Sequence, residues 1–506
     1  MMRNKDFISN NQVMIKKELN AFALPFIFCW LIIKGVAKCF LYILHFFFSN
    51  RHGYMPFFER IFLLNSWNKG LVLDGKGKKL SVKKSFEHLA IVGGTGKGKT
   101  SSEIIPMIFS LANCDNSILV TDMSGNIFRN TSAYMQKKGY RVIRINPEDL
   151  AHSDRFNPLA MLDSYSDISE ASHILIDANK PSNGSNNGGD VFWDNGAKKI
   201  LEVLISLLVN ARKCDASMEK YCNLHNVKHL LNSFGDGKAL KDFVLKYSLD
   251  NSYLVSEFMG LINSPDKTLG GWIATANASL NALGNPDVAK LMASNSIDFR
   301  GLGQEKTICY LMIPQEKMQF YSFILSLFYQ QFFSACARFS KDKGRLPVFC
   351  LMDEFTSLAI PHFANLITTL RAFKVSVVVV LQSLSQLEVR YGRAEAQSML
   401  EGGFMSKLFF GGMSLQTSKE LEQLVGTSKS GDYRESIISA EDLRRLKDNQ
   451  VIFLHSNKRA VRLKVKPYYR NFQYRAYASM GAYQSAVCRD NEEVRYLNLG
   501  EFIDRL

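Results

Sequence analysis

The chain has 506 residues, 46% of them apolar and 22% charged, which excludes a sequence too short or too polar to bury a core and allows two or three domains. Its formal charge of +15 points to a polyanionic partner (nucleic acid, anionic lipid or both), with a merely soluble basic surface as the alternative. Nine scattered cysteines without a Cys-x-x-Cys pair or a nearby His spacing exclude a metal cluster and read as reduced packing residues of a cytosolic domain.

In chain order, the first predicted element is Ala21–Ser49, apolar or aromatic almost throughout except at Lys34, Lys38 and His45. As a helix it would measure ~43 Å, enough to cross a hydrocarbon core of ~30 Å at a tilt. Lys34 would then sit near mid-membrane, at a cost of about 3 kcal/mol. Splitting the stretch at Lys34-Gly35 leaves two pieces that are each short for a span. Arg3, Lys5, Lys16 and Lys17 precede it and Arg51 and Arg60 follow, so both flanks are basic. That symmetry suits a hairpin with both ends cytoplasmic, or an in-plane anchor, better than one crossing. A cleaved signal peptide is excluded by the length of the apolar stretch and the lack of a small-residue cleavage site. The expectation is membrane association with the number of crossings open.

Leu71–Gly77 reads as a short strand and turn. The stretch His88–Val92 reads as a buried strand entering Gly93-Gly94-Thr95-Gly96-Lys97-Gly98-Lys99-Thr100-Ser101, whose spacing is Gly-x-x-x-x-Gly-Lys-Thr. A polyphosphate needs several backbone N–H groups turned inward, and only a glycine-rich turn lets the main chain curl that closely. Lys99 would reach the β- and γ-phosphates and the Thr100 hydroxyl would face a magnesium ion. Thr100–Leu111 reads as the helix leaving the loop, with a kink expected at Pro106. These residues describe a nucleotide phosphate site.

Ser117–Thr121 reads as a strand ending at Asp122, a residue that either contacts the magnesium shell or caps the next turn, the structural role being preferred. A helix over Thr131–Lys138 and a strand over Arg141–Ile145 follow, and strands alternating with helices imply a parallel sheet covered on both faces. The polar run Lys180–Gly189 reads as a flexible loop and Phe192–Asn210 as an amphipathic helix. From Ala216 to Phe299 there are helical patterns and no strand, an all-α insertion in an α/β domain. Strands resume at Thr307–Ile313, followed by a long helix over Gln315–Phe339. Further strands are expected at Pro347–Met352, Val375–Leu381, Lys407–Phe410, Gln450–Leu454 and Ala460–Lys466. The tail Pro467–Leu506 is aromatic and polar without a period.

The apolar strand Pro347–Met352 ends in Asp353-Glu354, which is what a nucleotide hydrolase needs opposite its phosphate loop. Asp353 would hold magnesium through its water shell, because that hard ion prefers oxygen ligands. Glu354 would orient and deprotonate the attacking water. Gln382, at the C-terminal end of the neighbouring strand, is placed to sense the γ-phosphate. Arg371 could act across a subunit boundary as an arginine finger, with a plain surface arginine as the equal alternative.

Together these pieces resemble the type IV secretion coupling proteins, the TraG/TraD-like conjugative DNA-transfer ATPases. The likeness includes Asn146-Pro147 with Arg155-Phe156-Asn157-Pro158-Leu159, and Asp190-Val191-Phe192-Trp193. It extends to Asp353-Glu354-Phe355, Leu381-Gln382-Ser383-Leu384-Ser385-Gln386-Leu387, and Lys466-Pro467-Tyr468-Tyr469-Arg470, in order from Lys69 to Arg470. The resemblance implies a RecA-like P-loop NTPase domain using ATP and Mg2+, interrupted by an all-α domain, with an N-terminal membrane anchor and homo-hexamers around a channel. It implies a place at the bacterial inner membrane with the ATPase domain in the cytoplasm. The partners it implies are single-stranded DNA or a relaxase–DNA complex and the components of a type IV secretion channel. By position, Arg371 falls where the family has its trans arginine and Gln382 where it has its sensing glutamine. The implied division is an anchor over 1–53, a nucleotide-binding domain over 54–195 and 301–470, an all-α domain over 196–300 and a tail over 471–506. Asp122-Met123-Ser124-Gly125-Asn126 departs from the family's Asp-Pro-Lys-Gly-Glu, so no lysine acts there. Two other functions remain open: a receptor recruiting protein effectors to the channel, and a double-strand DNA pump of the chromosome-segregation kind.

Overall fold

The computed structural model describes residues 53–177, 188–235, 237–248, 250–357, 360, 362–430, 433–484 and 494–502, together with Lys34 and Lys38. The apolar stretch Ala21–Ser49, apart from those two lysines, lies outside the described residues, as does most of the polar run Lys180–Gly189. Among the described residues no helix is long and apolar enough to cross a membrane.

The strands are β1 (Leu89–Val92), β2 (Ser117–Thr121), β3 (Arg141–Ile145), β4 (Thr307–Leu311), β5 (Val348–Met352), β6 (Val375–Leu381), β7 (Ser406–Phe410), β8 (Thr427–Ser430), β9 (Tyr433–Ser436), β10 (Gln450–His455) and β11 (Val461–Lys464). Nine of them form one sheet in the order β11-β10-β7-β1-β6-β5-β2-β4-β3. The seven strands from β7 to β3 are mutually parallel, and β10 turns antiparallel against β7 and β11. The α/β, parallel-rich architecture expected from the alternating pattern is therefore present.

Central strands are buried on both faces, as every residue of β1, β2, β5 and β6 shows. That burial explains why they read as unbroken apolar runs rather than as alternating ones. The pleat still sorts them. Leu89, Ile91, Val378 and Val380 pack with the helix Ile105–Leu111 on one face. Ala90, Val92, Val377, Val379 and Leu381 face the opposite core, which continues into the long helix Met318–Arg338 and the helices between β3 and β4. At roughly 1.5–3 kcal/mol per buried Val or Leu, this two-sided cover fixes the position of every strand end.

Local differences from the sequence reading have identifiable causes. Leu71–Gly77 forms no strand. Val72 makes a single bridge to Lys79, and the Asp74 carboxylate accepts from the N–H groups of Lys76, Gly77 and Lys78 at 2.9, 2.7 and 2.9 Å. Such a side-chain-capped turn competes with a ladder for the same donors. The kink expected at Pro106 is absorbed instead by a wide π turn over Thr100–Ile104, in which the Ile105 N–H donates to the Thr100 carbonyl. Proline lacks the N–H that an ordinary turn would use next, and it sits at the start of the regular helix Ile105–Leu111.

The helix predicted over Thr131–Lys138 spans Asn126–Lys137. A helix over Tyr165–Asp177 was not anticipated from its polar first turn. Ser164 and Asp167 nonetheless cap it reciprocally, backbone N–H to side chain in both directions. The helix predicted over Phe192–Asn210 runs Gly188–Cys214, so the expected division at 195/196 falls inside it. The polar hairpin β8–β9 was also unanticipated.

The tail has more order than its composition suggests. Its helix Phe472–Ala478 lays Tyr477 on the Tyr134 ring at 4.0 Å and near Phe109 at 5.6 Å. Further on, Asn226 accepts from the Leu497 N–H at 2.8 Å and donates to the Arg495 carbonyl at 3.0 Å, while Leu497 is 1% exposed among the helical residues. One tail thus touches both the phosphate-loop helix layer and the helical insertion. Leu497→Ala is expected to cost about 2–5 kcal/mol by leaving a cavity. A fall in the thermal midpoint, with earlier proteolysis of the tail, checks it; an unchanged midpoint contradicts the packing.

Candidate nucleotide site

Parallel strands place their C-terminal ends along one edge of the sheet, and ligands in such sheets gather there. Gly93 follows β1, Gln382 follows β6, Asp353 follows β5 and Asp122 follows β2, and these four strands are consecutive neighbours. Residues far apart in sequence are therefore brought to one edge by strand pairing alone.

The loop after β1 adopts the curl that its glycines allow. Gly96 and Gly98 have φ of +76° and +75°, a region that L side chains rarely adopt. At Gly93 a Cβ would lie 2.6 Å from the Phe410 Cβ, so β7 backs the loop closely. Gly94 lies against the Gly412 carbonyl in the same way, at 2.8 Å from an added Cβ. Thr95 is exposed at the loop tip. Ser101 Oγ donates to the Gly98 carbonyl at 3.1 Å, and Lys97 pairs with Asp448 at 2.9 Å on the surface. Lys99 is 7% exposed and its ammonium donates to the Gly93 and Gly94 carbonyls at 2.6 and 3.0 Å. Burial holds the Lys99 ammonium below its ordinary range, opposed by the nearby Glu354 and Asp353 carboxylates.

The Thr100 hydroxyl donates to Asp353 Oδ2 at 2.9 Å, joining the loop to the Asp-Glu strand end across the intervening β6. Asp353 is 8% exposed, and burial pushes its carboxyl up to about 6, with Glu354 and Asp122 adding to the rise and Thr100 and Lys99 opposing it. Glu354 has a φ of +55°, a strained setting for a non-glycine residue and one that recurs at active sites. Its Oε2 accepts from the Gln382 carboxamide at 3.1 Å. Gln386, one helical turn on, donates to the Gln382 oxygen at 3.4 Å. The sequence reading missed Gln386, although its spacing of four from Gln382 was a usable signal.

This donor set fits a magnesium–triphosphate. Thr100 and Asp353 present hard oxygens. The buried carboxylate among acidic neighbours would gain from a cation, and a Cβ at Gly93 or Gly94 would push the loop off its backing at Phe410 and Gly412. Among the described residues no cluster of His, Cys, Asp and Glu forms a separate metal site. The described cysteines Cys114, Cys214, Cys222, Cys309, Cys336 and Cys350 are free thiols.

Two candidates are engaged elsewhere, although Asp122 is near enough to Asp353 to raise its carboxyl. Asp122 is a structural cap: its Oδ2 accepts from the Phe128 N–H at 2.8 Å and its Oδ1 from Ser124, which starts the helix Asn126–Lys137. Arg371 precedes β6 and so lies at the opposite edge of the sheet, where it pairs with Glu87 at 3.2 Å and its side chain is 53% exposed. The same Glu87 contacts the buried His455 at 3.4 Å. Within the chain, then, the structure brings together Lys99, Thr100, Asp353, Glu354 and Gln382, and keeps Arg371 away from them.

The family described as type IV secretory system conjugative DNA transfer matches residues 63–429. The type IV secretion system-coupling protein VirD4 of Bartonella henselae is 23% identical over 390 residues, 72% of this chain and 58% of that protein. Protein VirD4 of Rhizobium rhizogenes is 23% identical over 324 residues, 62% of this chain and 45% of that protein. The chain thus spans about half the length of these curated relatives. Among solved structures, the plasmid coupling protein TrwB in complex with the non-hydrolysable GTP analogue GDPNP aligns with a TM-score of 0.62 and 15% identity, over 81% of this chain and 92% of that one. TrwB in complex with ADP and Mg2+ aligns with a TM-score of 0.62 and 14% identity, over 82% and 93%.

The raised Asp353 carboxyl has a testable consequence. A carboxyl that titrates higher in the folded than in the unfolded chain withdraws stability as pH climbs from about 4 to about 6, and the loss persists above that window. Asp353→Asn is expected to stabilise the nucleotide-free chain by roughly 2–3 kcal/mol at pH 8, with the gain fading toward pH 4. Thermal midpoints of the two proteins at pH 8 and pH 4.5 check it. A variant less stable than the parent at pH 8 contradicts the account of burial.

Proposed function

The chain belongs to the type IV secretory system conjugative DNA transfer family, and on that premise we propose that it is a membrane-anchored ATP hydrolase which couples a relaxase–DNA substrate to a type IV secretion channel and drives its transfer. The observation that carries the reading is the Thr100–Asp353 hydrogen bond, which joins the phosphate loop to the acidic strand end, with the Glu354–Gln382 pair beside it.

In this reading the loop amides from Gly94 to Thr100 receive the phosphate oxygens of ATP. The Lys99 ammonium, which rests on the loop carbonyls, turns to the β- and γ-phosphates. Thr100 and Asp353 would hold Mg2+, which when bound neutralises charge on the phosphate oxygens. Glu354 accepts the proton of the attacking water, and the Gln382 carboxamide, bonded to Glu354, holds that carboxylate and registers the γ-phosphate.

Arg371 acts in trans. It sits at the edge of the sheet away from its own loop and half exposed, as a residue serving a neighbouring subunit's triphosphate must, which supports a hexameric ring. The charge of +15 supports binding of a single strand through its phosphates, salt-sensitive and without sequence reading. The apolar residues 21–49 supply the anchor, with the nucleotide-binding part on the cytoplasmic side.

ATP turnover of the full chain, with and without single-stranded DNA at low salt, tests this. Single-stranded DNA is expected to stimulate turnover, Lys99→Ala to remove it by about 100-fold or more, and Arg371→Ala by roughly 1000-fold. Mixing the Lys99→Ala and Arg371→Ala proteins should restore part of the activity, because each subunit type supplies the half-site that the other lacks. Full turnover in Lys99→Ala overturns the hydrolase reading. Turnover indifferent to DNA but responsive to a protein substrate favours the effector-receptor function, and stimulation by duplex over single strands favours a double-strand pump.

A further inference from the structure

The short helix Phe57–Leu63 is amphipathic in an inverted sense. Leu63 and the following Leu64 are buried at 3% and 4%, while Phe58, Ile61 and Phe62, at positions i, i+3 and i+4, share the outward face. Phe62 is 82% exposed and Trp67, just beyond the helix, is 88% exposed. Single exposed apolar residues are ordinary, but four large ones within ten residues are a concentration that a soluble surface avoids.

Cations ring the patch. Arg60 lies over the Phe57 ring at 5.4 Å, and burial, with the Arg60 charge second, holds the Lys78 ammonium below its ordinary range. Gly77 sits against Ser66, and Lys79 pairs through its backbone with Asn65, so the turn carrying Lys76, Lys78 and Lys79 borders Trp67. Lys69 is exposed on the same segment. The acid of the helix, Glu59, is taken by Lys458 at 2.6 Å.

We propose that this face, Phe58, Ile61, Phe62 and Trp67 with its basic rim, lies in the headgroup layer of an anionic phospholipid bilayer. The inference rests on residues 21–49 being the anchor. Only residues 50–56 separate that stretch from the helix, and seven residues reach at most ~25 Å, so a chain anchored by 21–49 must hold this face close to the membrane surface. Tryptophan favours the interface, where its amphipathic ring meets both hydrocarbon and headgroups, phenylalanine and isoleucine supply apolar area on the buried face of an interfacial helix, and each neighbouring lysine or arginine is drawn to anionic lipid. A second copy of the chain is a poorer cover, since a self-complementary contact would set the basic rims against each other.

The test uses the full chain carrying Trp30→Phe, to silence the tryptophan within the apolar stretch, in vesicles of phosphatidylcholine and phosphatidylglycerol brominated near the headgroup end of their acyl chains. Tryptophan emission is expected to fall markedly relative to unbrominated vesicles, with Trp67 quenched roughly twofold. The difference should vanish when Trp67→Phe is added, while Trp193 and Trp272 contribute equally to both proteins. Equal quenching of the two proteins overturns the inference, as does a blue-shifted Trp67 that bromine does not quench, since that signals a protein cover. A chain that fails to sediment with vesicles overturns the anchor and this inference together; one that sediments with Trp67 unquenched overturns this inference alone.

Discussion

A single hydrogen bond, Thr100 to Asp353 at 2.9 Å, couples the two halves of the candidate nucleotide site. Its donor lies on the turn after β1 and its acceptor at the end of β5, with β6 between them. It can form only in one register of the three strands, with Val92 opposite Leu381 and Met352 opposite Val379, so that Asp353 leaves β5 two residues before the level at which β1 and β6 end. The two-sided burial of these strands is what prevents slippage, because a shift of one residue would exchange the two faces of every strand. The apolar runs of the sequence thus act directly on the chemistry of the edge.

The same arrangement accounts for the stored cost at the site. Asp353 is held in low dielectric beside Glu354 and Asp122, and Glu354 occupies a left-handed backbone conformation. Lys99 is drawn below its ordinary range by burial. Each of these is unfavourable in the chain alone, and each suits a site shaped for a cation and a polyanion. Packing elsewhere compensates, including the unbroken core of β6 and the tail rings stacked on the phosphate-loop helix layer through Tyr134.

The roles proposed for the chain fall on surfaces that do not meet within it. Arg371 and Glu87 sit at the edge of the sheet remote from the loop, the helical insertion joins the core on one face, and the Phe57–Leu63 helix presents an apolar face beside a basic turn. The described parts of the tail are seated on both the loop-helix layer and the insertion.

The residues that reach the phosphate edge were legible because their chemistry is local: glycines for a curl, a lysine and a hydroxyl after it, two acids and an amide at strand ends. Long helices and buried strands were legible from period and run length. Less was readable where a side chain overrides the backbone pattern, as Asp74 does over Leu71–Gly77 and as Ser164 and Asp167 do ahead of the unanticipated helix Tyr165–Asp177. The wide turn over Thr100–Ile104 in place of a kink at Pro106 belongs with these. By itself, the sequence determined which groups the chain owns and that they sit on a covered parallel sheet, since spacing and hydrophobicity are properties of the chain. Strand order, the meeting of Thr100 with Asp353, the assignment of Asp122 to a cap and the distance of Arg371 from its own loop were decided only by tertiary structure, because they depend on which buried strands lie next to one another.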